Sequence, residues 1–230
     1  MRMLLDKDAK VKVQRRGGAS PLIGAAEGGH DACVLMLISA GADVNVQTQD
    51  GLSPLHGAVA CQLSSTVQIL LDQGADPNVM ASGGYTPLLS AAEEGLNDIC
   101  QTLLNKGANV NVKTINGDTP LHGAAFWKHD STVLLLLNAH ADVNSVKTNG
   151  DTALHIATRR GHGATVRVLL EKDADVNLLA GDSCTALHMA VGGGTIAIVQ
   201  MLLDKGRVWG RAGFGEKQGA ALDLKTAKEG

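Results

Sequence analysis

The stretch Gly117-Asp-Thr-Pro-Leu-His122 decides the fold, because versions of it return along the chain in steps of 33 residues. The Ser or Thr of this motif falls at Ser20, Ser53, Thr86, Thr119, Thr152 and Thr185. A second marker keeps the same step, the asparagine that closes Ala-Asp/Asn-Val/Pro-Asn at Asn45, Asn78, Asn111, Asn144 and Asn177. A fixed period of this length indicates a stack of identical units rather than one globular core.

The fourth unit shows how each repeat is expected to fold. Thr119 followed by Pro120 predicts a helix start, because the hydroxyl caps free amides and a proline at the first helical position loses no hydrogen bond. Asn149-Gly150 predicts a tight turn where the chain passes into the next unit. Apolar residues at helical spacing predict the buried faces of two helices between these points: Leu121, Ala124, Ala125, Val133, Leu134, Leu136 and Leu137.

These motifs resemble the ankyrin repeat family over roughly residues 4–206. Further matching stretches are Gly84-Tyr-Thr-Pro-Leu88, Gly150-Asp-Thr-Ala-Leu-His155 and Gly41-Ala-Asp-Val-Asn45. The resemblance implies an all-α solenoid of stacked helix-turn-helix units with protruding β-hairpin-like finger loops. His140 and Asp173 depart from the pattern, since they stand where a glycine is expected to end the second helix in a left-handed conformation.

The period divides the chain into units of one array that occupies residues 1–230. Since the first unit lacks its first helix, we expect either a piece of a longer array or a frayed first unit. The predicted units are a partial repeat at 1–14, complete repeats at 15–47, 48–80, 81–113, 114–146, 147–179 and 180–206, and an irregular finger with a partial repeat at 207–230.

Composition and charge exclude several classes of protein. The net charge of −3 gives no footprint for nucleic acid or an anionic membrane surface. No apolar run approaches the ~18 residues of a membrane span, and the start is too short and charged for a signal peptide. The cysteines lie far apart, so neither a disulfide framework nor a metal site is predicted. We expect a monomer in the cytoplasm, with the nucleus as an alternative location.

No arrangement of residues predicts catalysis or a cofactor. The recurrent His56, His122, His155 and His188 lie about one unit apart, so they cannot form one metal cluster, and we expect them to hydrogen-bond between neighbouring units. Gly192-Gly193-Gly194 lacks the lysine of a phosphate-binding loop. We therefore predict that the chain is not an enzyme. The resemblance also implies that Asn45, Asn111, Asn144 and Asn177 could be hydroxylated. The alternative is that these asparagines have a purely structural role and hold the finger loop by side-chain hydrogen bonds.

Positions that vary between units predict the binding surface. In the family, finger tips and the exposed ends of the first helices line a concave groove. Three of the five aromatic residues fall on such positions, between an acidic and a basic pair. The alternative is that Phe126 and Trp127 pack against neighbouring helices, and Phe126 is expected to be the more buried of the two. The predicted partner-binding residues are Tyr85, Glu93, Glu94, Asp118, Phe126, Trp127, Asp151, Arg159 and Arg160.

The resulting hypothesis is a non-catalytic module that binds another protein through this groove. Exposed aromatic residues beside arginine are typical of interface hot spots. Two alternatives stay open at this point. One is a structural spacer or scaffold segment of a larger multi-repeat protein, and the other is a targeting domain of an enzyme that lies outside this stretch. Fold alone does not decide among them.

Overall fold

The computed structural model describes residues 11–15 and 17–212, and the side chains of this range up to residue 206. Its described residues form twelve α-helices and no β-strand. The helices are arranged as six pairs in steps of 33 residues: α1 Pro21–Glu27, α2 Asp31–Ser39, α3 Pro54–Ala60, α4 Ser64–Asp72, α5 Pro87–Glu93, α6 Asn97–Asn105, α7 Pro120–Phe126, α8 Asp130–Asn138, α9 Ala153–Arg159, α10 Gly163–Glu171, α11 Ala186–Gly192 and α12 Ile196–Ala212.

Each first helix begins at the predicted Ser or Thr. In α7 the Thr119 hydroxyl accepts a hydrogen bond from the His122 amide, and the His122 ring accepts one from the Thr119 amide. This reciprocal cap satisfies two backbone donors that no helical carbonyl can reach. The same capping box forms in α3, α9 and α11, and Pro120 starts α7 as expected.

Left-handed residues end the second helices. Gly41, Gly74 and Gly107 have φ values of 87°, 89° and 88°. His140 and Asp173 occupy the same position with φ of 64° and 63°, so they adopt the conformation that the glycines have in the other units. The position therefore keeps its backbone geometry where the sequence departs from the pattern.

The core is two rows of leucines, one row for each layer of helices. First helices pack on first helices of the next unit, and second helices on second helices. The first row is at most 1% exposed and the second is fully buried: Leu22, Leu55, Leu88, Leu121 and Leu154, then Leu70, Leu103, Leu136 and Leu169. Among the residues predicted to be buried in the fourth unit, Leu134 is the exception at 42% exposed, because it lies on the outer face of α8.

The last helix differs from the prediction. The period predicts that the second helix of the sixth unit ends near Gly206 and that an irregular finger follows. Helix α12 instead continues to Ala212. In the fourth unit the second helix is followed by Ala-Asp-Val-Asn at 141–144, which begins the loop. The equivalent positions 207–210 are Arg-Val-Trp-Gly, which lack this loop sequence, and the helix continues through them. The predicted repeat beyond residue 212 and most of the predicted partial repeat at 1–14 lie outside the described residues.

The fingers are turns joined to one another by backbone hydrogen bonds. Within the fourth finger, the Thr114 amide bonds the Asp118 carbonyl and the Gly117 amide bonds the Thr114 carbonyl, both at 2.9 Å. One bond of 2.8 to 3.0 Å then links each finger to the preceding one, from the amides of Gln49, Ser82, Ile115, Thr148 and Gly181 to the carbonyls of Gly17, Asp50, Gly83, Asn116 and Asn149. The fingers thus form one continuous row along the stack.

Two of the motif histidines connect neighbouring units, as predicted. The Nδ1 of His56 and of His155 accepts the capping bond, so the proton is on Nε2. Nε2 then donates to the Tyr85 carbonyl at 3.2 Å and to the Leu178 carbonyl at 3.0 Å. His122 is 1% exposed, and its Nε2 faces the Ser145 and Asp151 carbonyls without reaching a hydrogen bond to either. Burial lowers the pKa of His122 to about 4 and lowers the pKa of His56 and His155 as well.

These histidines predict a loss of stability in mild acid. The folded array keeps the three imidazoles neutral, whereas the unfolded chain protonates them near the ordinary value of 6.5. Because the unfolded state then binds more protons, the free energy of unfolding should fall as the pH is lowered from 6.5 toward the pKa of about 4 of His122. Urea denaturation at constant ionic strength measures this slope. A His122→Gln variant should show a shallower slope in this window, and an unchanged one would contradict the role of His122.

Candidate functional site

The fingers and the ends of the first helices face each other across an inner surface, which we call the groove. A cavity of about 270 Å³ lies between the second and third fingers, where Leu52 and Tyr85 meet Ala60 and Ser90 of the first helices. A larger one of about 670 Å³ lies between the fifth and sixth fingers, where Asn149 and Asp182 face Arg159. Fingers and first helices line both cavities.

An aromatic pair lies at the centre of the groove, at the end of α7. Phe126 and Trp127 are 38% and 56% exposed. Their rings contact edge to face, with centroids 5.0 Å apart. The Arg160 guanidinium carbon lies 3.9 Å from the centroid of the Phe126 ring. This cation–π contact holds the ring against the next unit, so the two aromatics and Arg160 form one cluster, named here the aromatic cluster.

Exposure separates the two interpretations of these rings. Phe126 is the less exposed, as predicted, yet both side chains present a large part of their surface to solvent. The two rings contact each other, Phe126 also contacts Arg160, and neither ring belongs to the leucine core. The cluster is thus a preformed apolar surface with one cation at its edge, and it loses little conformational entropy when another molecule covers it.

Asp151 and Arg159 are paired with each other. Arg159 donates two hydrogen bonds to the Asp151 carboxylate, at 2.8 and 2.9 Å. Asp151 is only 4% exposed. Burial raises the pKa of Asp151, but the Arg159 guanidinium outweighs it, so the pKa ends below its ordinary value. The pair connects the base of the fifth finger to the end of α9. The positive charge of Arg159 is therefore largely neutralised by Asp151 within the chain.

Asp118 pairs with a residue that the sequence analysis did not nominate. The Lys147 ammonium lies 2.6 Å from the Asp118 carboxylate, and both side chains are about three-quarters buried. Lys147 belongs to the next finger, where the three preceding units carry Thr48, Ala81 and Thr114. Its departure from that pattern is the signal that could have identified it.

Glu93 and Glu94 complete the acidic side of the groove. Glu93 is half-buried, and its side chain lies against α7 of the next unit. A Cβ placed on Gly123 would be only 2.6 Å from the Cγ of Glu93. Partial burial raises the pKa of Glu93, and the nearby Asp118 and Glu94 carboxylates raise it further. The charge of Glu93 in turn raises the pKa of Tyr85, which is 41% exposed. The structure therefore brings Tyr85, Glu93, Glu94 and Asp118 together at one point.

The repeated asparagines bridge neighbouring units. Asn111 accepts a hydrogen bond from the Asp142 amide at 2.8 Å and donates to the His140 carbonyl at 3.3 Å. The side chains of Asn45 and Asn78 make the same two bonds to their next units. These contacts give the asparagines a structural role, though the bonds reach the loop after the next second helix rather than the finger of their own unit.

Two other kinds of site have no counterpart in the described part of the chain. Its His, Cys, Asp and Glu residues form no group of three or more that could hold a metal ion. No helix there combines the length and the hydropathy that crossing a membrane requires. The four cysteines are free thiols.

Comparison with known proteins agrees with the geometry. The family model for ankyrin repeats matches in three overlapping copies, over residues 1–81, 55–147 and 133–211. The chain therefore belongs to the ankyrin repeat family, whose members are generally protein-interaction modules. The crystal structure of the human ASB11 ankyrin repeat domain is similar, with a TM-score of 0.78 and 25% sequence identity. The match covers 95% of this chain and 93% of that one. No curated protein sequence matches the chain.

Proposed function

We propose that this chain is a non-catalytic module that binds a partner protein through the groove, with the aromatic cluster as its anchor. The observation that supports this most directly is the exposure of Phe126 and Trp127 on the inner surface, fixed in place by Arg160. Aromatic residues beside arginine dominate the binding energy of many interfaces. Stacked helices and linked fingers hold this surface rigid, so the cost of ordering it on binding is small.

The electrostatics of the groove support a particular orientation of the partner. The end of α5 carries Glu93 and Glu94, the end of α7 carries the aromatic pair, and the end of α9 carries Arg159 and Arg160. Charges of opposite sign on the two sides of an apolar anchor make the two possible directions of a bound segment unequal in energy. Because Arg159 is held by Asp151, the basic side acts mainly through Arg160.

The double variant Phe126→Ala/Trp127→Ala tests the proposal. We expect it to keep its fold, because neither ring belongs to the leucine core, and to lose more than about tenfold in affinity for partners of the wild type. Affinity capture from cell extract, followed by titration of the captured protein, measures this loss. Leu134→Ala is the matched control, since it removes an exposed apolar side chain from the outer face of the same unit.

Each result has a distinct meaning. Proteins retained by the wild type and by Leu134→Ala but lost by the double variant support the groove as the binding surface. If all three retain the same proteins, the groove proposal is wrong, and the segment with Trp209 and Phe214 becomes the next candidate. If none retains a specific protein, the interpretation as a structural spacer gains over the interaction module.

A further inference from the structure

The acidic side of the groove carries more negative charge than the chain itself neutralises. Three carboxylates meet there, those of Glu93, Glu94 and Asp118, and Lys147 is the cation that acts on Glu93. Lys147 is bonded to Asp118 at 2.6 Å. In the part of the chain that the structure describes, neither Glu93 nor Glu94 receives a side-chain hydrogen bond or an ion pair. About two negative charges are therefore left for an external partner.

Glu93 differs from the other charged residues of the groove because it is half-buried without a counter-ion. Asp118 and Asp151 are buried to a similar or greater degree, and each has its cation at 2.6 or 2.8 Å. Removing a carboxylate from water costs free energy unless a cation or hydrogen-bond donors compensate it. The chain thus holds Glu93 in a position that is costly in the unbound state and that a basic side chain would relieve.

An apolar recess lies next to Tyr85, whose side chain is within electrostatic reach of the Glu93 carboxylate. The cavity of about 270 Å³ is lined by Leu52, Ala60, Ala81 and Tyr85, and also by Ser90, which is one helical turn before Glu93 on α5. Leu52 and Tyr85 are 44% and 41% exposed. Lysine and arginine have long apolar stems that pack along such surfaces while the charged head stays at the rim. The aromatic ring of Tyr85, which lines the recess, adds a favourable surface for the cationic head.

We propose that the groove takes a lysine or arginine from an extended segment of the partner protein, with its stem against Tyr85 and Leu52 and its head at Glu93 and Glu94. This inference rests on the proposed function, because it names the chemistry of the segment that the groove would bind. A nucleic acid or another acidic surface is excluded as the occupant by the same two carboxylates.

The spacing of the units specifies the segment further. Glu93 and Phe126 occupy equivalent positions in adjacent units, and packed helices lie about 8–10 Å apart. A segment in the extended polyproline-II conformation advances about 3.1 Å per residue and completes one turn in three residues, so every third side chain returns to the same face about 9 Å further on. A side chain on the aromatic cluster therefore lies three residues from the basic one. The expected motif is a lysine or arginine and an apolar residue separated by two others, within a segment that lies across α5 and α7.

Selection from a random dodecapeptide phage library tests the motif. Peptides enriched on the wild-type array should carry the basic residue at the expected distance from an apolar one. On a Glu93→Gln array the basic residue should disappear from the enriched sequences. For a peptide synthesised from the wild-type selection, fluorescence anisotropy should show a loss of about tenfold or more on Glu93→Gln.

Glu27→Gln is the matched control. Glu27 holds the same position two units earlier and lies over Gly57 as Glu93 lies over Gly123. Glu27→Gln removes the same charge from the array as Glu93→Gln. The neighbours differ, since the positions equivalent to Glu94, Asp118 and Tyr85 are occupied here by Gly28, Leu52 and Ala19. We expect peptide affinity to change by less than about twofold on this control.

Thermal unfolding separates a binding role from a structural one. Since folding raises the pKa of Glu93, the ionised side chain opposes folding at neutral pH. Glu93→Gln should therefore raise Tm, by about 1–3 °C, while it weakens peptide binding. A residue that merely supported the fold would lower Tm when it is replaced.

The outcomes distinguish this inference from the proposed function. Enriched peptides without a basic residue, or equal binding to Glu93→Gln, overturn the inference, and the groove function stands if the Phe126→Ala/Trp127→Ala array still loses these peptides. Peptides that bind all variants equally, or a selection that yields no enriched sequence, overturn both.

Discussion

Leu136→Ala in α8 is expected to lower the free energy of unfolding by about 2–5 kcal/mol. Leu136 is fully buried in the row of second-helix leucines, where neighbouring second helices pack together. Truncation removes the apolar contacts that Leu136 makes with the second helices of the preceding and the following unit. It also leaves a cavity, because these two helices are held by their own neighbours and cannot both move inward to fill it. Urea denaturation followed by far-UV circular dichroism measures the change.

The control for Leu136→Ala lies two residues away on the same helix. Leu134 is 42% exposed, so Leu134→Ala should change stability by less than about 1 kcal/mol. Both variants remove the same atoms and leave the same helix propensity, and they differ in burial alone. Equal effects of the two changes would mean that the register of α8 is wrong.

Gly150→Ala is expected to destabilise the array by about 2–5 kcal/mol, through the fingers rather than the core. Gly150 has φ of 78°, and a Cβ there would lie 2.6 Å from the Gly181 amide nitrogen of the next finger. That amide donates the hydrogen bond to Asn149 that joins the fifth and sixth fingers. The new methyl group therefore strains the turn and separates two fingers at once.

Gly107→Ala isolates the conformational part of this cost. Gly107 also has a positive φ, of 88°, but a Cβ there would meet no atom within 4 Å. We expect a loss of about 1–2 kcal/mol, which is the cost of the left-handed conformation for alanine. Thermal and urea denaturation of both variants measure the difference. If Gly107→Ala proves as damaging as Gly150→Ala, the close approach of the fingers is not what limits position 150.

The periodicity of the sequence was enough to predict the helix pairs and their caps. Thr119 and Pro120 start α7 as local capping chemistry requires. A Ser or Thr cap starts the first helix of every unit, and the proline follows it in the first four. The left-handed residues at His140 and Asp173 followed from alignment with glycines 33 residues apart. The continuation of α12 beyond Gly206 was not predicted, because the period carries no information once the repeated sequence is lost after residue 206.

The candidate site was predictable in position and less so in its contacts. Alignment of the units placed Phe126 and Arg160 in neighbouring units, so their contact follows from the register. The pairing of Asp118 with Lys147 does not, because it depends on how far a finger leans over the first helices. For the same reason the sequence could not show that Arg159 is held by Asp151 while Glu93 has no cation of its own.

The asparagine and finger hydrogen bonds have a consequence for how such a chain can change in length. Each of these bonds joins a unit to its immediate neighbour, and the partners lie 29 to 32 residues apart in most cases. Duplication of one 33-residue segment would reproduce every donor with its acceptor, whereas an insertion of any other length would leave donors facing the wrong residues. The array can therefore gain or lose whole units during evolution, and its groove lengthens in steps of one finger and one helix end.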